Sequence, residues 1–141
     1  MSGYQKVDIS GNPHYVNLSN RFATVTDNTT VDAQYFDGEL WIATDAKVIT
    51  LSDICPVGMR MKIRNTGANG AVLVSIKGSA TVGIGGRNQV INGTSSVLTA
   101  VAGKELRNTK ATAIQGDYVE LTKVSATLWD AVTYGIWAKE A

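Results

Sequence analysis

The chain has 141 residues, of which 44% are apolar and 18% charged, with only two prolines, a composition that excludes a disordered segment and fits one folded domain. A domain near this size buries about 70% of its unfolded surface, so it needs neither disulfide nor metal to hold a core. With a formal net charge of +1 it has no field to gather phosphates, which sets nucleic acid aside as a partner.

Residues 1–20 read as an N-terminal arm. Val7, Ile9, Val16 and Leu18 have extended character, but Gly11-Asn12-Pro13 breaks the segment, since the residue before a proline is pushed to extended geometry and the triplet marks a turn. The remaining residues, 21–141, read as one β-sandwich domain. Phe22 to Thr26 alternates and is β-branched. Asp37-Gly38 is expected to turn a hairpin between Tyr35-Phe36 and Leu40 to Ala43, and Val48 to Leu51 forms the next strand. In Met59 to Arg64 apolar residues alternate strictly with cations, the period of a half-buried strand. Asn69-Gly70 then predicts a hairpin into Val72, Val74 and Ile76.

Further strands are expected at Thr81 to Ile84, Gln89 to Ile91, Ser96 to Thr99, Tyr118 to Thr122 and Val132 to Trp137, with Gly83 to Gly86 read as a tight sheet corner. Lys104 to Arg107 allows no more than about one helical turn beside Gly103. Nine to eleven short strands at this spacing predict an all-β fold: a single antiparallel β-sandwich or jelly roll with an extended N-terminal arm.

No catalytic, cofactor or metal constellation interrupts the pattern. A nucleophilic triad needs a base near neutral pH, and the one histidine, His14, lies beside Pro13 in the arm. Cys55 is the one cysteine, so it has no intrachain partner and reads as a small buried hydrophobe. Asp37, Glu39, Asp45 and Asp53 are close in sequence but sit where aspartates form turns, rather than as a glycosidase pair. Two of the three tryptophans, Trp41, Trp129 and Trp137, are expected in the core, leaving one to stack on a sugar or anchor an interface. The opening Met1 to Lys6 lacks the layout of a signal peptide, and no apolar run approaches the roughly 20 residues of a membrane span. The chain is expected to be made in a cytoplasm, soluble and without a membrane partner.

Val48-Ile49-Thr50-Leu51, then Pro56-Val57-Gly58, the strand ending in Asn65-Thr66-Gly67, Val72 to Ile76, Gly116-Asp117-Tyr118-Val119-Glu120-Leu121 and Leu128-Trp129 together resemble a module of tailed-bacteriophage virion proteins. Such modules occur in tail fibres and spikes and in small jelly-roll cement proteins of capsids. Taken as a whole chain, these 141 residues hold no repetitive shaft and no tail adaptor, so the resemblance implies a capsid decoration protein on the virion surface, assembled in the host cytoplasm. The implied partners are the major capsid protein and further copies of the chain, as a trimer first and a dimer second. Tyr4, Val7, Ile9 and Tyr15 are the expected interface residues of the arm. The alternatives are a tail-fibre or baseplate component and a carbohydrate-binding receptor-recognition module.

Overall fold

Alternation along the Arg60–Asn65 strand turns Met61 and Ile63 into the core and leaves Lys62 and Arg64 on the outside, as a strand with one wet face requires. The computed structural model describes residues 3–7, 13–17, 22–89 and 96–140. In chain order the strands are β1 (Gly3–Val7), β2 (Pro13–Asn17), β3 (Phe22–Val25), β4 (Thr29–Val31), β5 (Gly38–Ile42), β6 (Lys47–Leu51) and β7 (Arg60–Asn65). They continue as β8 (Val74–Lys77), β9 (Gly83–Gln89), β10 (Ser96–Leu98), β11 (Leu106–Asn108), β12 (Tyr118–Ser125), β13 (Leu128–Tyr134) and β14 (Trp137–Lys139). Single 3-10 turns occupy Ala33–Tyr35 and Lys110–Thr112.

The chain is an all-β sandwich. A seven-stranded sheet in the order β10-β9-β13-β12-β7-β5-β3 packs on a five-stranded sheet in the order β14-β11-β8-β6-β4. Leu40, Ile42, Ile63, Leu121, Trp129 and Ile84 come from the first sheet and Val31, Ile49, Leu51, Val74, Ile76 and Leu106 from the second, all fully or almost fully buried. β1 and β2 pair with each other as an antiparallel ribbon, Gly3 opposite Asn17 and Val7 opposite Pro13. The expected arm residues Tyr4, Val7 and Tyr15 lie on this ribbon, and Ile9 lies outside the described residues.

Strand direction corrects the antiparallel expectation. β3 with β5, β5 with β7, β4 with β6, β6 with β8, and β9 with β13 are all parallel pairs. Parallel neighbours need a crossover, usually a helix. In the first four pairs the crossover is a single strand of the other sheet, so from β3 to β9 the chain alternates between sheets and winds as a flattened coil, while β9 and β13 are joined through β10, β11 and β12. That winding is not the antiparallel succession of a jelly roll.

The two predicted hairpins are corrected for the same reason. Asn69-Gly70 does turn, with Gly70 at φ +71°, yet it carries the chain from β7 in one sheet to β8 in the other. Asp37, at φ +58°, links a 3-10 turn to β5 rather than joining two paired strands. The expected strand Val132 to Trp137 is broken at Gly135 into β13 and β14, which belong to different sheets. Within the limit of one turn set for Lys104 to Arg107 there is no helix at all: the segment runs into β11, and the 3-10 turn follows at Lys110–Thr112.

Gly83 to Gly86 is not a corner. It runs inside β9, parallel to β13, where a Cβ on Gly86 would lie 1.9 Å from the Ala131 carbonyl oxygen. Glycine is required there because the two backbones meet with no room for a side chain.

Candidate functional site

Strands in register carry their outward residues in rows, so the solvent face of the seven-stranded sheet is an ordered array. One row runs Thr24, Trp41, Arg64, Tyr118, Tyr134, and the next runs Phe22, Glu39, Lys62, Glu120, Val132, Arg87. Tyr118 and Tyr134 stack with centroids 4.4 Å apart at 15°, and the Arg64 guanidinium lies 4.4 Å over the Tyr118 ring. Arg64 also donates through Nε (3.1 Å) and Nη2 (2.9 Å) to Glu39 Oε1 and through Nη1 to the Gly116 carbonyl at 3.2 Å. The other Glu39 oxygen accepts from Trp41 Nε1 at 2.9 Å, and the Trp41 ring meets Phe22 edge to face at 4.5 Å.

One guanidinium thus ties the tyrosine stack to Glu39, and Glu39 orients the indole. Lys62 pairs with Glu120 at 3.6 Å, a surface contact that adds little stability. Glu120 is also the main reason that the Tyr134 phenol is pushed up from its ordinary value, with burial and Tyr118 adding to it. Between Phe22, β5, β7 and β12 the face dips into a shallow trough of about 720 Å³.

The sequence candidates fall apart in space. Trp129 and Trp137 are in the core, as expected for two of the three tryptophans, while Trp41 is 37% exposed. Glu39 belongs to the array just described. Asp45 accepts from the Leu73 amide at 2.8 Å and from Lys110 Nζ at 2.6 Å. Asp53 accepts from Ser79 Oγ at 2.7 Å, and Asp37 lines the trough. Asp37 and Glu39 thus share the trough, while Asp45 and Asp53 are engaged elsewhere, so the four do not form one site. Cys55 is buried with its thiol facing the Val31 carbonyl, and burial pushes that thiol up, away from the reactive thiolate. His14 lies on β2, opposite Lys6 on β1.

Three of the residues that carried the resemblance, Asn65, Gly116 and Asp117, form one hydrogen-bonded cluster that reaches the second sheet through Asn108. The Asn65 amide donates to the Asp117 carbonyl at 2.8 Å, and the Gly116 amide donates to the Asn65 carbonyl at 2.7 Å. Asn65 Oδ1 accepts from the Gly67 amide at 3.0 Å, while Asp117 Oδ2 accepts from Ile114 N and Asn108 Nδ2. The sequence reading did not single out Phe22, Arg64, Tyr118 and Tyr134, which the structure joins in this array. Their signal was present in the outward phase of each strand, where an aromatic or a cation recurs, but only the pairing order brings those phases together. Among the described residues no group of three or more His, Cys, Asp or Glu side chains is placed to hold a metal ion. Compared with protein-family models, curated proteins and solved structures, the chain matches none.

Proposed function

We propose that this chain is a structural protein of a tailed-phage virion, decorating the capsid surface and binding the major capsid protein across joints between its subunits. The observation that carries this reading is an apolar surface at each end of β12. At one end Ile54, Val57 and Val124 are 73%, 60% and 48% exposed, grouped by the hydrogen bonds of Lys123 to the Asp53 and Cys55 carbonyls and of Gly58 N to the Lys123 carbonyl. At the other end Ile114 and Ile136 are comparably exposed and meet at the Asn108–Asp117 bond. An eight-residue strand separates the two ends by about 24 Å. Two apolar ends on one stiff slab suit a bridge, because burying both removes apolar area from water on two neighbours at once.

In this reading the chain works as a homo-oligomer, a trimer in the first place, matched to a local symmetry axis. The segment 1–20, with Tyr4, Val7, Ile9 and Tyr15, reaches a neighbouring copy.

The test uses capsids that lack the protein. The unaltered chain is expected to bind them and raise their resistance to heat by mass action on the assembled state. Changing Ile54 and Val57 to serine, or Ile114 and Ile136 to serine, is expected to leave binding but remove the heat protection, since one end still docks. Changing both ends removes binding. Absence of capsid binding, or heat protection that survives both pairs of changes, overturns the reading. Copy counting by mass spectrometry of virions separates it from a tail-fibre or baseplate role, in which only a handful of copies is present.

A further inference from the structure

The trough on the outer sheet face is chemically unlike the two apolar ends. Asp37, Glu39 and Glu120 line it together with Arg60, Lys62 and Arg64, three acids against three bases, so the lining carries no net charge. The central charges are engaged with one another: Arg64 with Glu39, and Lys62 with Glu120. A phosphate or sulfate seated on Lys62 or Arg64 would have to compete with these pairs, and a polycation seated on Glu39 or Glu120 would have to do the same from the other side. A neutral hydroxyl does not, because a paired carboxylate keeps free lone pairs and a paired ammonium keeps free N–H groups. Phe22 belongs to the lining, and Trp41, outside it, packs edge to face on Phe22 and bonds to the lining residue Glu39, so the two rings, 44% and 37% exposed, form an aromatic ledge beside the trough. The Trp41 ring is held by its bond to Glu39 and its contact with Phe22, so little side-chain freedom remains to be lost when something packs on it.

From this we infer that the trough is a binding site for a neutral oligosaccharide. A sugar offers the two surfaces that the site requires, an apolar C–H face for the indole and a rim of hydroxyls that both donate and accept. The indole's π face attracts the weakly positive C–H groups, and the hydroxyls reach Glu39, Arg60 and Glu120 across the trough. The site is independent of the bridging role: it uses the face of the seven-stranded sheet, not the ends of β12.

Trp41 supplies the readout, since the other two indoles are buried. The full chain is titrated with uncharged oligosaccharides of three to six glucose, galactose, mannose or N-acetylglucosamine units, and with heparin fragments as the anionic probe, following tryptophan emission. At least one neutral series is expected to give a saturable change, while heparin gives none. Trp41→Ala is expected to weaken binding at least tenfold and Arg60→Ala severalfold, measured by calorimetry, with Ile114→Ser unchanged. Amide NMR shifts on the unaltered chain locate the site even if Trp41→Ala fails to fold, and are expected at residues 38–41 and 60–64. The inference is overturned if no neutral series binds, if heparin binds more tightly, or if the shifts move only elsewhere. Full affinity in a folded Trp41→Ala variant overturns it as well.

Discussion

Asn65 of β7 donates through its side-chain amide to Asn108 Oδ1 of β11 at 2.7 Å, joining the two sheets by one buried hydrogen bond. Neither residue has a polar atom to spare. The second Asn65 N–H reaches the Val72 carbonyl, and Asn108 Nδ2 donates to Asp117 Oδ2 and the Ile136 carbonyl. Buried at 1% and 0% exposure, the pair is tolerated inside the sandwich because every group is satisfied.

Asn108→Ala is therefore expected to cost about 3 kcal/mol, more than the loss of one bond, because it strands the Asn65 amide and the Ile136 carbonyl without water. Urea unfolding of the two single variants and the Asn65→Ala/Asn108→Ala double variant checks this. The double variant should cost clearly less than the sum of the singles. Strict additivity would show that the bond does not couple the sheets.

Lys123 is 3% exposed, and its ammonium is held by the carbonyls of Asp53 (3.1 Å) and Cys55 (2.7 Å). Replacing it by methionine keeps the volume and unpairs both carbonyls, at an expected cost of about 2 kcal/mol. The loop it fastens carries Cys55, whose thiol is protected by burial. Reaction of Cys55 with an aromatic disulfide reagent should accordingly be slow in the unaltered protein and at least tenfold faster in Lys123→Met. Equal rates would mean that the loop is held by other contacts.

Two glycine substitutions should differ sharply. Gly86→Ala places a methyl against the Ala131 backbone at a φ of +141°, and nothing there can move without parting β9 from β13. A loss above about 4 kcal/mol is expected, in the range reserved for severe mechanisms. At Gly58, φ +93°, a Cβ meets nothing within 4 Å, so Gly58→Ala carries backbone strain alone, about 1–2 kcal/mol. Thermal unfolding of the two variants ranks them directly.

The Asp45 carboxyl is held below the usual carboxylate range, first by the Leu73 amide and then by Lys110. A folded pKa below the unfolded one means that stability from this group is present above the unfolded value, about 3.9, and is lost as pH falls through the lower folded value. The melting temperature of Asp45→Asn should therefore lie below that of the unaltered protein near neutral pH, and the gap should close in strong acid. A gap that stays constant with pH would assign the effect to shape rather than charge.

Period and burial were legible in the sequence because they are local. Met61 and Lys62 announce their faces by alternation, and Cys55 its burial by residue type, since an unpaired thiol packs as a small hydrophobe. Pairing was not legible. Asn69-Gly70 satisfies the backbone of a turn, but turn chemistry fixes the φ of two residues and not the sheet in which the next strand lands. Two parallel runs interleaved between sheets have the same local period as two antiparallel ones. The outer array stayed hidden for the same reason: Trp41, Arg64 and Tyr118 are far apart in sequence and become neighbours only through the β5-β7-β12 order. The motif of Asn65, Gly116 and Asp117 was visible as a pattern, while its role as a fastening between sheets required Asn108, which no local signal ties to Asn65.

The strand-by-strand crossing from β3 to β9 has a mechanical consequence. In a sandwich of hairpins the layers can slide or peel apart once apolar contact fails, since covalent chain joins them at few points. Here each link along that stretch passes between the layers, so a shearing load is carried by the backbone at both margins as well as by the core. Such a slab resists delamination in the way stitched cloth does and glued cloth does not. A pulling experiment should show one high rupture rather than a staircase of strand losses.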